Sequence, residues 1–372
     1  MTRTLLCFGL ALSAFADSSF QAGRTRSFTV VPLETVSETS SNASIGDLNG
    51  DGHPDVVLVK GRHWQVVSIV FFGDGKGHFT PGPPLPSNAN KSYSGSLADM
   101  TKSGRLDMVL SNDAPDAKLV LLNDGKGRFA IGGRYGDPKW PTRNAAVGDL
   151  NGDGYPDIAV ANRGATSYFC LNDGKLNFDC RPLGDSPSAA TVAIADMNGD
   201  GANDVIYACR DSCQSVVHVN DGAGHFERRI PWGLPKSSVR AMAVADFDGD
   251  RHLDIAACPE DSGCFVYANN GTATFGEGVR FDTPKAVPYS MIAADLDRDG
   301  RPDLLVGYVE APGVAYFNGG DGRRFRPQSF GDGKGAIYGM AAGDLDGDGW
   351  PDVVVARSDA PSFVMFNRAA RE

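Results

Sequence analysis

Oxygen-bearing side chains recur at fixed spacing along this chain of 372 residues. Between Asp47 and Asp55 they stand at positions 1, 3, 5 and 9 of a nine-residue stretch, as Asp47, Asn49, Asp51 and Asp55. The pattern returns as Asp149, Asn151, Asp153, Asp157 and as Asp196, Asn198, Asp200, Asp204. Three further copies are wholly acidic: Asp246, Asp248, Asp250, Asp254; then Asp295, Asp297, Asp299, Asp303; then Asp344, Asp346, Asp348, Asp352. A hard cation such as calcium takes six to eight oxygens from carboxylates, amides, backbone carbonyls and water. Alternate side chains turned inward supply that set if the chain bends sharply at position 6, where Gly52 reaches positive φ without a Cβ penalty. The position-7 carbonyl adds a ligand, from His53, Tyr155, Ala202, His252, Arg301 or Trp350. A turn needs one or two Asp or Asn residues. Four oxygens at constant spacing in six copies point instead to as many as six structural Ca2+ ions.

Two copies depart from the pattern. Residues 99–107 keep only the end carboxylates, Asp99 and Asp107, while Lys102 and Arg105 bring positive charge, so this loop is expected to hold no ion. In the copy that starts at Asp246, Arg251 replaces the glycine, at a cost of about 1–2 kcal/mol for a left-handed non-glycine residue. That site is expected to be weaker.

The seven loops start at 47, 99, 149, 196, 246, 295 and 344, a period that signals a repeat architecture. Runs such as Val353-Val354-Val355 follow position 9 and read as buried strands, where an EF-hand would continue into a helix and a twelfth-position Glu. Further on stands an Asn-Asp-Gly-x-Gly-x-Phe turn, as in Asn123 to Phe129. Loop, apolar strand and turn together resemble the FG-GAP/VCBS repeat of integrin α-subunit propellers and related fungal and bacterial proteins. The resemblance spans nearly the whole mature chain. It implies an all-β fold, a seven-bladed β-propeller of four-stranded antiparallel blades, with a metal loop between the first and second strands of each blade. A Phe closes the turn of six repeats (Phe79, Phe129, Phe178, Phe226, Phe275, Phe325), and the seventh lacks one. Phe28 stands before Asp47 at the matching distance, so the N-terminal strand should complete the last blade and close the ring.

Residues 1–16, with the apolar run Leu5 to Phe15, read as a signal peptide; 17–26 read as a flexible lead-in and 27–372 as one propeller domain. No other run is long enough to span a membrane. Six cysteines remain after the signal, in the close pairs Cys170 and Cys180, Cys209 and Cys213, Cys258 and Cys264. Three local disulfides are expected, in a secreted or periplasmic monomer. The formal charge of −11 and the lack of a basic stripe argue against nucleic-acid binding. Carboxylates packed this closely repel one another without metal, so folding and metal binding should be coupled.

Six residues before each loop, at the expected tunnel mouth, stand Ser41, Tyr93, Arg143, Ala190, Arg240, Tyr289 and Tyr338. Tyr93, Arg143, Arg240, Tyr289 and Tyr338 form the candidate ligand site, by stacking and bidentate hydrogen bonds. Neighbouring loops add Lys60, Arg62, His63, Trp64, Asn162, Arg163, Arg210 and Arg357. No Ser-His-Asp arrangement and no phosphate-cradling loop is present. The favoured reading is a non-enzymatic binding or adhesion module for a glycan or an extracellular protein, on the face opposite the calcium loops. The alternative is a polysaccharide lyase, with Tyr93 or Tyr289 as general base and Arg143 or Arg240 neutralising a uronate.

Overall fold

A computed structural model describes residues 26–86, 90–184 and 187–370. The expected signal peptide and nearly all of the lead-in lie outside the described residues. Strands are numbered in chain order from β1 (Arg26–Pro32) to β28 (Phe363–Ala369), and no helix occurs among the described residues. They form seven separate four-stranded antiparallel sheets, the blades of a propeller. In the first blade β2 (Ser40–Gly46), β3 (Asp55–Lys60), β4 (Ile69–Gly73) and β5 (Phe79–Pro84) pair in sequence order.

The second strand of a blade is covered on both faces by neighbouring blades. Every residue of β3, of β11 (Asp157–Asn162) and of β23 (Asp303–Tyr308) is buried, which is why these strands read as unbroken apolar runs. The core lies between blades. One cluster joins Val56, Leu58 and Phe71 of the first blade to Val354, Val364 and Phe366 of the seventh. Each such side chain is worth about 1.5–3 kcal/mol when fully buried.

The seventh blade runs β1-β28-β27-β26, with β27 at Asp352–Ser358 and β26 at Ala336–Gly343. β1 pairs antiparallel with β28 from Arg26 opposite Ala369 to Pro32 opposite Phe363, so the N-terminal strand closes the ring as expected. Three disulfides join the expected partners: Cys170–Cys180, Cys209–Cys213 and Cys258–Cys264.

Candidate functional site

Each nine-residue loop connects the innermost strand of a blade to the second strand, and its shape is set by carboxylates that accept backbone N–H groups. In the first loop Asp47 accepts from Gly50 at 2.8 Å and from Gly52 at 2.9 Å. Asn49 accepts from Asp51, and Asp51 from His53, both at 2.9 Å. The ninth residue works differently. Asp55 is fully buried and accepts from Leu48 at 2.9 Å and from Gly73, on the third strand, at 3.0 Å. The same pair of bonds holds Asp107, which accepts from Met100 at 3.2 Å and Asn123 at 3.0 Å in the loop where no ion is expected. Burial pushes the carboxyl groups of Asp157, Asp204, Asp254 and Asp352 up to about 6 and that of Asp303 up to about 8.

The asparagine of the later turn ties each loop to the next blade. Asn123 donates to the carbonyl of Leu48 at 2.9 Å, and Asn172 to that of Met100 at 2.9 Å. Asn220, Asn269, Asn318 and Asn367 repeat the contact with the loop of the preceding blade. The first blade has Gly73 at the equivalent place.

The side chains at positions 1, 3 and 5 fit a divalent cation. In the three wholly acidic loops they bring carboxylate oxygens within 4.8 Å of one another: Asp246, Asp248, Asp250; Asp295, Asp297, Asp299; and Asp344, Asp346, Asp348. Asp297 is 2 % exposed and its Oδ1 accepts no hydrogen bond, with Arg326 the cation whose charge acts on it from within the protein. Asp346 and Asp348 meet one within the protein, because Arg368 of β28 pairs with both, at 2.7 Å to Asp348. In the loop at 99–107, Lys102 leaves its own loop. It donates to the carbonyl of Asp153 at 3.2 Å and lies 4.0 Å from the centre of the Tyr155 ring. Arg251 takes the left-handed backbone expected of it, at φ 74°.

The other end of each innermost strand carries the mouth. Ser41, Tyr93, Arg143, Ala190, Arg240, Tyr289 and Tyr338 all line one cavity of about 100 Å³. Each also sits where the register between first and second strands slips by one residue, as between Ser92 and Ser94 or between Pro288 and Ser290. A bulge leaves the extra residue unpaired and re-aims its side chain. Seven bulges thus place one residue per blade around the axis.

Arginines cover the tyrosines there. Arg143 lies 4.4 Å from the Tyr93 ring centre, Arg240 lies 4.1 Å from Tyr289, and Arg62 lies 3.6 Å from Tyr338. Arg62 comes from the turn after β3, with φ 52°, and also stands 5.2 Å from both Tyr93 and Tyr289. Asp113 pairs with Arg143 at 2.6 Å, and Glu260 pairs with Arg240 and, at 3.6 Å, with Arg210. Burial raises the phenol of Tyr93, which bonds the His63 ring at 3.1 Å.

Of the neighbouring loop residues, Arg62 and Arg210 reach the cavity and the others do not line it. Lys60 is buried against Glu34 at 2.5 Å, and Arg357 is buried against the Pro361 carbonyl at 2.8 Å. Asn162 is buried with Thr142 at 2.8 Å. These three belong to the framework. Glu260 and Asp113 carried no sequence signal, since each comes from a turn whose reach toward the axis depends on the ring.

Six consecutive segments match the model of the FG-GAP-like repeat, at residues 47–110, 99–160, 149–207, 196–257, 246–306 and 307–355. No curated protein matches the chain. Two crystal structures of BBS1N in complex with ARL6DN are similar in fold, one soaked with mercury (TM-score 0.65) and one with lead (0.62). Both are 10% identical and cover 94% of this chain; the matches cover 98% and 97% of theirs. At that identity the likeness speaks for the fold alone. With repeat matches running from residue 47 to residue 355 of a seven-bladed ring, this chain belongs to the FG-GAP-like repeat family.

Proposed function

We propose that this protein is an exported, calcium-bound propeller that acts as a non-enzymatic binding or adhesion module, taking a glycan or protein ligand at the mouth opposite the loops. The observation that carries the reading is the ring of seven bulges, which gathers Tyr93, Arg143, Arg240, Tyr289 and Tyr338 around one cavity. Three disulfides favour an oxidising compartment, and among the described residues no helix is long and apolar enough to cross a membrane. The converging carboxylate triplets support calcium as the loop cation. Calcium there fixes the loops and neutralises their carboxylates.

The lyase alternative needs a tyrosine that loses its proton near neutral pH. Burial moves Tyr93 the other way, which argues against Tyr93 as that base.

Two measurements test the reading. Chelation of the metal-loaded protein should lower its melting temperature, since a site at a hundredfold excess over Kd contributes about 2.7 kcal/mol. A glycan array should show retention that Arg240→Ala abolishes, with no new double bonds in the bound polymer. An unchanged melting temperature, with no metal bound on titration, would sink the calcium assignment, and appearance of unsaturated products would replace the binder with the enzyme.

A further inference from the structure

The mouth is positively charged in a chain whose formal charge is −11. Four guanidiniums line its cavity (Arg62, Arg143, Arg210 and Arg240), against two carboxylates that pair with them, Asp113 and Glu260. Among the described residues no carboxylate pairs with Arg62. Its Nε is buried without an acceptor, as is Nη1 of Arg240. Four guanidiniums against two carboxylates leave the cavity with an excess of donors, and an anion there would supply the missing acceptor.

Each of the three tyrosines already has a guanidinium over its ring, Arg143 over Tyr93, Arg240 over Tyr289 and Arg62 over Tyr338. A guanidinium that spends its face on a ring keeps its in-plane N–H groups for a carboxylate. The cavity's remaining polar lining, Asn42, Asn144 and Thr191, supplies donors and acceptors for hydroxyl groups and no apolar pocket for a peptide side chain. Trp64, in the Arg62 turn, is 66% exposed and offers a free aromatic face outside the cavity.

We propose that the mouth binds the carboxylate of an acidic saccharide, with Arg62 as the central anchor and the sugar rings held outside it. This rests on the binding-module reading and narrows its ligand to a uronate. Binding is electrostatic and weakens with salt.

Calorimetric titration with a galacturonate hexamer, its methyl ester, hexaglutamate and inorganic sulfate tests the assignment. The hexamer should bind the wild type, and the ester, sulfate and hexaglutamate should each bind at least about tenfold more weakly, as one lost charge-assisted bond of ~1.5–3 kcal/mol implies. Arg62→Gln should lose a similar factor with an unchanged melting temperature, and Arg240→Gln serves as the second variant if the first unfolds. Equal binding of the ester overturns the anion, and equal binding of hexaglutamate or sulfate overturns the saccharide. A neutral glycan or a protein captured at the mouth would leave the binding module standing and remove this inference. If no probe binds and neither variant changes retention on the array, both fail together.

Discussion

On the loop face, carboxylates crowd together and lean on backbone N–H groups; at the mouth, guanidiniums crowd together and lean on aromatic rings. The two faces lie at opposite ends of the same innermost strands, about 20 Å apart at ~3.3 Å per residue. Each has a surplus of one charge. The loop surplus is built into the repeat, because the ninth aspartate uses the same backbone bonds in the carboxylate-poor loop at 99–107 as in the others. The mouth surplus is individual, because the same bulged position carries Ser41 and Ala190 in two blades and Arg143 and Arg240 in two others. Constant spacing of charge on one face and variable side chains on a shared bulge at the other is what separates the two ends of this ring.

The sharpest test of that contrast compares Asp157→Ala with Asp107→Ala. Either change strands two buried N–H donors, so both should lower stability by about 2–6 kcal/mol at ~1–3 kcal/mol each. Urea denaturation reads it, and a harmless Asp107→Ala would mean that the ninth aspartate matters only through metal.

A smaller effect is expected at the acidic triplet where one arginine of the chain pairs with two of the three carboxylates. Arg368→Ala removes the cation on Asp346 and Asp348, so the loop should take a trivalent probe roughly fivefold more tightly, or about 1 kcal/mol. Terbium luminescence excited through Trp350, in the same loop, reports it, with Trp350→Phe as the blank. Weaker terbium binding in Arg368→Ala would show that the arginine supports the site.

The smallest effect lies on the mouth side. Arg163 holds Asp211 through two bonds of 3.0 and 2.9 Å and pulls its carboxyl down to about 2 from 3.8. A depressed folded-state value stabilises the protein above pH 3.8, and the contribution is lost as pH falls through about 2. Both side chains are more than a third exposed, so solvent screening keeps the term below ~1 kcal/mol. Acid titration of stability should be slightly shallower in Arg163→Ala; an identical acid limb would show that the pair contributes nothing.

Much of this was legible in the residues. Constant spacing announced the ring and its loops, Phe28 announced the closing strand, and the six-residue offset found all seven mouth positions. What the offset could not reveal was why those positions converge, since a bulge is a property of two paired strands and Tyr93 looks like any strand residue in isolation. Arg62 was one cation among several in the loops, and its place over three tyrosines of other blades depends on closure. Asn123 and Asn172 stood in the sequence only as the first residues of Gly-rich turns, yet their amides cross to the preceding blade. Arg368 follows the asparagine of the last repeat, where the first four repeats carry Asp74, Asp124, Asp173 and Asp221; only the fold sets it against Asp346 and Asp348.

The pairing of β1 with β28 has a mechanical consequence. Because Arg26 stands beside Ala369, a pull applied at these two points would peel the ladder apart one bond pair at a time, beginning at that end. Such unzipping needs less force than sliding two strands past each other. Under tension the ring should therefore yield first at its clasp, while the six blades made from continuous chain are still intact.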